Sequence, residues 1–258
     1  MVVLLIKLLL APALVVASSL AGRRWGPAVT GALVAFPIVA GPVLLVIHLE
    51  HGAAFTRESA TASLLGLVSL AAFALVFALA GRRWSWPAAL VAGWVAVLAV
   101  DAGLAQLRLP GPAALAVTLA AVAAAVLAMP RLPHGGGTGM RPPPPWDLAA
   151  RSLATAVLVI SLTTASTALG PQWTGLLATF PTAASVVAAF ALAQGGPVEA
   201  TRMLAGLLRG LFGFAAFCCA LAALVEPVGV TAFACALVAA LVVQAGVGLV
   251  RRTVRLPV

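Results

Sequence analysis

The side chains able to do chemistry in this sequence are few, and they gather around two copies of one string. Gly26-Pro27-Ala28-Val29-Thr30-Gly31 is followed five residues later by Phe36-Pro37, and Gly170-Pro171-Gln172-Trp173-Thr174-Gly175 is followed at the same spacing by Phe180-Pro181. Proline has no backbone N–H and clashes with the preceding helical turn, and it drives the residue before it out of helical geometry. A Phe-Pro in mid-helix therefore frees carbonyls, here near residues 33 and 177, and starts a new helix whose N-terminus carries positive dipole charge. Hydroxyls lie around both strings: Thr30 and Thr174 one turn in, and Thr179, Thr182 and Ser185 about the second Phe-Pro. Such groups bind a solute by hydrogen bonds and dipoles; they do not break bonds. The alternative is a modest kink healed by Thr or Ser, and Thr30 and Thr174 serve equally well by bonding back to their own helix.

Ionisable candidates are fewer still. The 258 residues include three His, three Cys and six Asp or Glu. The sequence shows no Ser/His/Asp set, ATPase signature or redox centre, so neither an enzyme nor a cofactor is expected. The Gly135–Gly139 run lacks the Gly-Lys-Ser/Thr ending of a phosphate-binding loop. His48, Glu50 and His51 lack the HExxH spacing and sit at the end of an apolar run, as a polar rim does, so no metal is expected; Glu50 aligns with Gln194 in the second copy. Cys218, Cys219 and Cys235 lie inside apolar runs, as small hydrophobes. Arg209 lies about ten residues into an apolar run, on the helical face of Arg202. Two readings stay open for it. Turned inward, as intramembrane charges usually are, it favours an anion beside the two helix starts; otherwise it snorkels to the surface. Asp101 is likewise either a proton or cation site or an interfacial acid.

The elements that must position these residues are membrane helices. The chain is 63% hydrophobic and 8% charged, with a mean hydropathy of +1.16, which excludes an ordinary water-soluble core. The net charge of +9 comes mainly from arginines in short breaks between apolar runs, a pattern of membrane orientation and not of nucleic-acid binding. Nine spans are predicted, roughly at 2–21, 27–49, 59–80, 86–106, 111–129, 149–168, 171–194, 199–224 and 228–250. The first is read as a span and not a cleaved leader, because only Lys7 precedes or interrupts it and Arg23-Arg24 follow directly. Basic residues favour the loops after odd-numbered spans, which puts the N-terminus outside and the C-terminus in the cytoplasm of a cell (inner) membrane. Trp25, Trp84, Trp86 and Trp146 fall at the cytoplasmic boundary and Trp173 at the outer one, as anchors do.

Laying 26–80 over 170–224 needs no gap, and 17 of 55 positions are identical. A shift of five spans reverses direction across the membrane. The predicted architecture is thus an all-α polytopic membrane protein in two inverted-topology repeats, spans 1–4 and 6–9, with discontinuous spans 2 and 7. Residues 1–129 form the first repeat with five spans, 130–148 a Pro/Gly-rich cytoplasmic linker, and 149–258 the second repeat with four. Eleven residues separate each Gly-Pro from its Phe-Pro proline, or ~16 Å of helix, against about 15 Å for half a hydrocarbon layer. Both prolines should meet at the midplane.

Inverted repeats with broken helices at the midplane are a recurring build of secondary transporters. The expected function is alternating-access movement of a small solute, an organic anion being the weak preference, at a site of Thr30, Phe36, Pro37, Thr174, Thr179, Phe180, Pro181, Thr182, Ser185 and Arg209. A structural or accessory membrane subunit predicts instead tight packing with no polar midplane. A membrane enzyme or flippase-like protein predicts a lateral opening lined by Arg or acids. The expected partners are the lipid bilayer and a small-molecule substrate, with a homodimer left open.

Overall fold

The computed structural model describes residues 2–104, 109–131, 144–169 and 180–253. In lipid, every backbone N–H and C=O must be satisfied inside the chain, and a helix does this segment by segment. The described residues accordingly form α1 (Val2–Trp25), α2 (Pro27–Ala35), α3 (Ala40–Ala80), α4 (Trp86–Leu104), α5 (Gly111–Ala128), α6 (Asp147–Leu169), α7 (Thr182–Val228) and α8 (Thr231–Thr253). Five stretches are long and apolar enough to cross a membrane: Pro27–Ala80, Trp86–Leu104, Gly111–Ala128, Thr182–Val228 and Thr231–Leu249. The described residues are all-helical and compatible with a membrane protein.

Prolines open two helices where the first turn needs no N–H: Pro27 in α2 and Pro112 in α5. The expected loops at 50–58 and 195–198 are absent as loops, because helix continues through them on either side of a single glycine. Gly52 (φ 81°, ψ −176°) and Gly196 (φ 75°, ψ −174°) interrupt α3 and α7. That backbone region is nearly closed to any residue with a Cβ. The two glycines are 144 positions apart, the offset of the Phe-Pro strings. Beside each junction a threonine caps a carbonyl: Thr56 Oγ1 donates to the Gly52 oxygen at 2.8 Å, and Thr201 Oγ1 to the Pro197 oxygen at 2.7 Å.

α7 is the centre of the bundle and touches every other described helix. Met203, Leu204, Leu207, Leu208, Leu211 and Leu221 of α7 are fully buried and join Phe73 and Phe77 of α3 in one core. α3 also packs on α4 and α5, and α1 on α6. Thr118 of α5, fully buried, donates to the Leu64 oxygen at 2.7 Å and the Ala114 oxygen at 2.8 Å, which ties α5 to α3. The outward faces of α4, α5, α6 and α8 are apolar: Val91 and Val95, Leu119 and Leu127, Leu153 and Val157, Leu237 and Leu241 are all exposed. In a bilayer such faces meet acyl chains.

Candidate functional site

The first Phe-Pro breaks its helix as proline chemistry requires. α2 ends at Ala35, Phe36 is extended (φ −69°, ψ 143°), and α3 resumes at Ala40. The carbonyl freed at Leu33 is taken by the Phe36 N–H at 3.1 Å, and the Pro37 carbonyl by the Gly41 N–H at 2.9 Å. Pro37 is buried and Phe36 half-buried. Thr30 is buried against α1: a Cβ on Gly22 would collide with its Oγ1. α2 meets α7 at backbone distance. A Cβ on Gly31 would overlap the Met203 carbonyl and the Leu207 amide, one on Gly206 the backbone of Ala28, and one on Gly210 the Ala35 methyl. Gly206 and Gly210 form the small-xxx-small spacing that lets membrane helices approach closely.

The second Phe-Pro is described from Phe180 onward; Gly170, Thr174 and Thr179 lie outside the described residues. Pro181 is buried (φ −76°, ψ 63°) and α7 starts at Thr182, which is half-buried. The Ser185 N–H donates to the Pro181 carbonyl at 2.8 Å. The buried Ser185 Oγ accepts a hydrogen bond from Trp94 Nε1 at 2.9 Å, and the Trp94 ring meets Phe180 edge-on with centroids 5.4 Å apart. Phe180, Pro181 and Ser185 therefore come together, with Trp94 of α4 as a fourth member absent from the sequence-derived set. Its signal was positional: Trp94 sits mid-span, whereas Trp25, Trp84, Trp86 and Trp146 lie at helix ends and are exposed. Thr30, Phe36 and Pro37 belong to the other side, where α2 lies on the Met203–Gly210 stretch. Arg209 is half-buried in that stretch.

Two further polar spots lie within the apolar bundle. Asp101 of α4, 7% exposed, accepts a hydrogen bond from the buried hydroxyl of Ser69 on α3. On α8 the side-chain oxygen of Gln244 is buried with no hydrogen-bond partner among the described residues. The residues at the Gly52 junction are engaged with neighbours: His48 Nδ1 lies 3.3 Å from Thr56 Oγ1 with its ring edge-on to Phe233, and His51 stacks on Phe55.

At the Gly196 junction the structure assembles an ionic cluster that the sequence did not announce. Asp147 opens α6, and its side chain is 1% exposed. Arg151, one turn on, donates from Nε to Asp147 Oδ1 at 2.9 Å, and Gln194 Nε2 donates to the same oxygen at 2.7 Å. Arg23, at the end of α1, reaches Oδ2 at 2.8 Å. Arg151 also donates to Gln194 Oε1 at 3.2 Å, and its guanidinium lies 4.9 Å from the centre of the Phe190 ring. Glu199, just past the junction, folds back over Gly195. Burial alone raises the Asp147 pKa, but the bonds from Arg151, Gln194 and Arg23 outweigh it and hold the carboxyl below its ordinary value. Three elements, α1, α6 and α7, thus close on one carboxylate. Arg151 aligns with Lys7 and Gln194 with Glu50 under the 144-residue shift, which was the available hint.

No known protein family, curated protein or solved structure matches the chain.

Proposed function

We propose that the chain is a secondary active transporter that moves a small solute by alternating access, with its site between the breaks at Phe36-Pro37 and Phe180-Pro181. The carrying observation is the matched pair of backbone interruptions at Gly52 and Gly196, which adopt nearly the same dihedrals 144 positions apart. With them go a helix that stops at Phe36 and one that starts after Pro181. Matched breaks in two halves supply the pivots that an exchange of conformations needs. In this reading the chain has nine crossings in two inverted repeats within a cell (inner) membrane, N-terminus outside and C-terminus cytoplasmic, as the arginine distribution favours. The start of α7 at Thr182 and the half-buried Arg209 favour a small organic anion.

A second reading, an accessory membrane subunit, draws support from the backbone-tight crossing of α2 on α7 and from the satisfied Leu33 carbonyl. Counterflow separates the two. The purified chain in liposomes is offered pooled labelled organic anions and neutral metabolites. Saturable exchange that Ser185→Ala or Phe180→Ala diminishes supports transport. If no pool exchanges above empty liposomes and none shifts the melting temperature, the accessory reading replaces it.

A further inference from the structure

We propose that one end of this bundle is a docking surface for the headgroups of anionic phospholipids, built from Arg24, Arg82, Arg83 and Arg131 among exposed tryptophans. The proposal rests on the chain's place in a membrane and not on the transporter reading. Contacts bring these residues to one end. Arg23 on Asp147 joins the end of α1 to the start of α6, and Gln194 on Asp147 brings in the Gly196 junction of α7. A Cβ on Gly81 would come 2.8 Å from Leu192 Cδ2, which places the turn after α3 beside that junction. α5 runs the same way as this part of α3: a Cβ on Gly111 would sit 4.0 Å from Thr61 Oγ1, and Thr118 donates to the Leu64 oxygen. It too therefore finishes at this end, at Ala128, with Arg131 just beyond.

The charge at this end is one-sided. Arg24, Arg82, Arg83 and Arg131 are exposed, and so are Trp25, Trp84, Trp86 and Trp146. The Arg24 guanidinium lies 5.5 Å from the centre of the Trp25 ring. Two of the six acids belong here. Asp147 is buried under Arg151, Gln194 and Arg23, and Glu199 is half-buried in the field of Arg151 and Arg202. Neither is exposed to balance the four arginines. The far end is of the opposite kind. The Arg57–Glu226 pair at 3.3 Å and the His48 ring against Phe233 join the Gly52 junction to the end of α7 and the start of α8. Glu50, Glu58 and Glu226 are exposed there, with Arg57 beside them.

From Arg57 to Ala80 the helix runs 23 residues, or ~35 Å, a little more than the ~30 Å hydrocarbon layer. Both charged ends thus fall at headgroup depth when that layer surrounds the apolar faces of α4 and α5. Orientation by basic residues requires only an excess of positive charge on one side. Phosphate docking asks for more, namely donors in a fixed fork and rings that settle among headgroups. Lys7 is the only lysine among the 15 basic residues. A guanidinium holds a phosphate by two parallel N–H···O bonds, where an ammonium acts as a point charge. Tryptophan is the side chain that favours this depth. A zwitterionic headgroup brings its own cation, whereas an anionic one leaves its charge for the unbalanced arginines.

The test uses the full chain in phosphatidylcholine liposomes, with phosphatidylglycerol as the probe. Four of the six tryptophans stand at the arginine end, so quenching of their emission by lipids brominated on the acyl chains reports which lipid sits there. Brominated phosphatidylglycerol should compete for these positions about fivefold better than brominated phosphatidylcholine, the effect of one arginine's attraction to an anionic lipid. Changing Arg24, Arg82, Arg83 and Arg131 together to Gln should bring the ratio close to one, while Arg57→Gln at the far end should leave it as in the parent. Equal quenching by the two lipids in the parent chain, a result that needs no variant, overturns the proposal. So does a preference that survives in the four-arginine variant, or an equal loss in Arg57→Gln, which would make it a matter of net charge. Abolition of the preference by soluble glycerol phosphate overturns it too, since the arginines would then take free anions. No transported solute is present, so this result and that of the counterflow screen stand or fall separately.

Discussion

Asp147→Ala is the sharpest test of how this bundle is held at its Gly196 junction. The substitution removes the acceptor of three side-chain hydrogen bonds, from Arg151, Gln194 and Arg23. Arg151 suffers most, because its side chain is 9% exposed and is left with Gln194, the Phe190 ring and the attraction of Glu199. Arg23, 35% exposed, turns to water and loses little. Breaking a buried pair from one side costs about 3–5 kcal/mol, which for a chain of this size lowers the melting temperature by roughly 6–20 °C. Removing the second charge as well, in Asp147→Ala/Arg151→Met, should recover a large part of that loss, since the stranded guanidinium is then gone. The pH dependence has a fixed sign. The folded-state pKa of Asp147 lies below the ordinary 3.8, set by Arg151, Gln194 and Arg23 against the opposing effect of burial. Its stabilisation is therefore complete above that value and is lost as pH falls through the lower, folded one. The melting temperature of the wild type should drop more steeply below about pH 4 than that of Asp147→Asn. Thermal melts in detergent, followed by intrinsic fluorescence, measure both. A single variant that melts like the wild type, or parallel acid slopes in wild type and Asp147→Asn, would refute the view that this carboxylate clamps α1, α6 and α7.

Gly206→Ala pushes a methyl into the backbone of Ala28 and should cost about 1–3 kcal/mol. Gly103→Ala, where a Cβ meets nothing within 4 Å, should stay within about 0.5 kcal/mol of wild type in the same melts. Gly196→Ala places a side chain at φ 75° and should lose about 1–3 kcal/mol, with limited proteolysis showing new cuts near the junction. Trp94→Phe removes the donor to Ser185, for a loss of about 1 kcal/mol; combined with Ser185→Ala it should fall short of additivity, and strict additivity would mean the bond is not formed.

Most helices were legible because burial in lipid leaves a local signature. The apolar run predicted at 111–129 is α5 at Gly111–Ala128, and that predicted at 149–168 is α6 at Asp147–Leu169. The extended Phe36 and the start of α7 after Pro181 were legible because proline acts on its immediate neighbours. The junctions were misjudged. Arg57 and Glu58 look like loop residues, and Gly195-Gly196-Pro197 like a joint between spans, yet helix runs on because one glycine at positive φ suffices to redirect the backbone. Long-range pairing left little trace beyond the alignment of Arg151 with Lys7 and of Gln194 with Glu50. Asp147 follows four prolines and reads as the end of a linker, while its partners stand 124 residues before it and 47 after. Charge attraction has no period, so no pattern in the chain announces which groups will meet.

The two halves share their punctuation and differ in their chemistry. Gly26 and Gly170, Pro37 and Pro181, Gly52 and Gly196, and Phe73 and Phe217 coincide under the 144-residue shift. Lys7 stands opposite Arg151, Glu50 opposite Gln194, Leu65 opposite Arg209 and Ser69 opposite Gly213. Backbone breaks and close crossings tolerate few substitutes, since only proline frees a carbonyl and only glycine fits a crossing or a positive φ. Ligand chemistry carries no such constraint from the scaffold. In a transporter of the proposed kind, equal breaks would let each half adopt the other's conformation, while one Arg209 would suffice for a single bound anion.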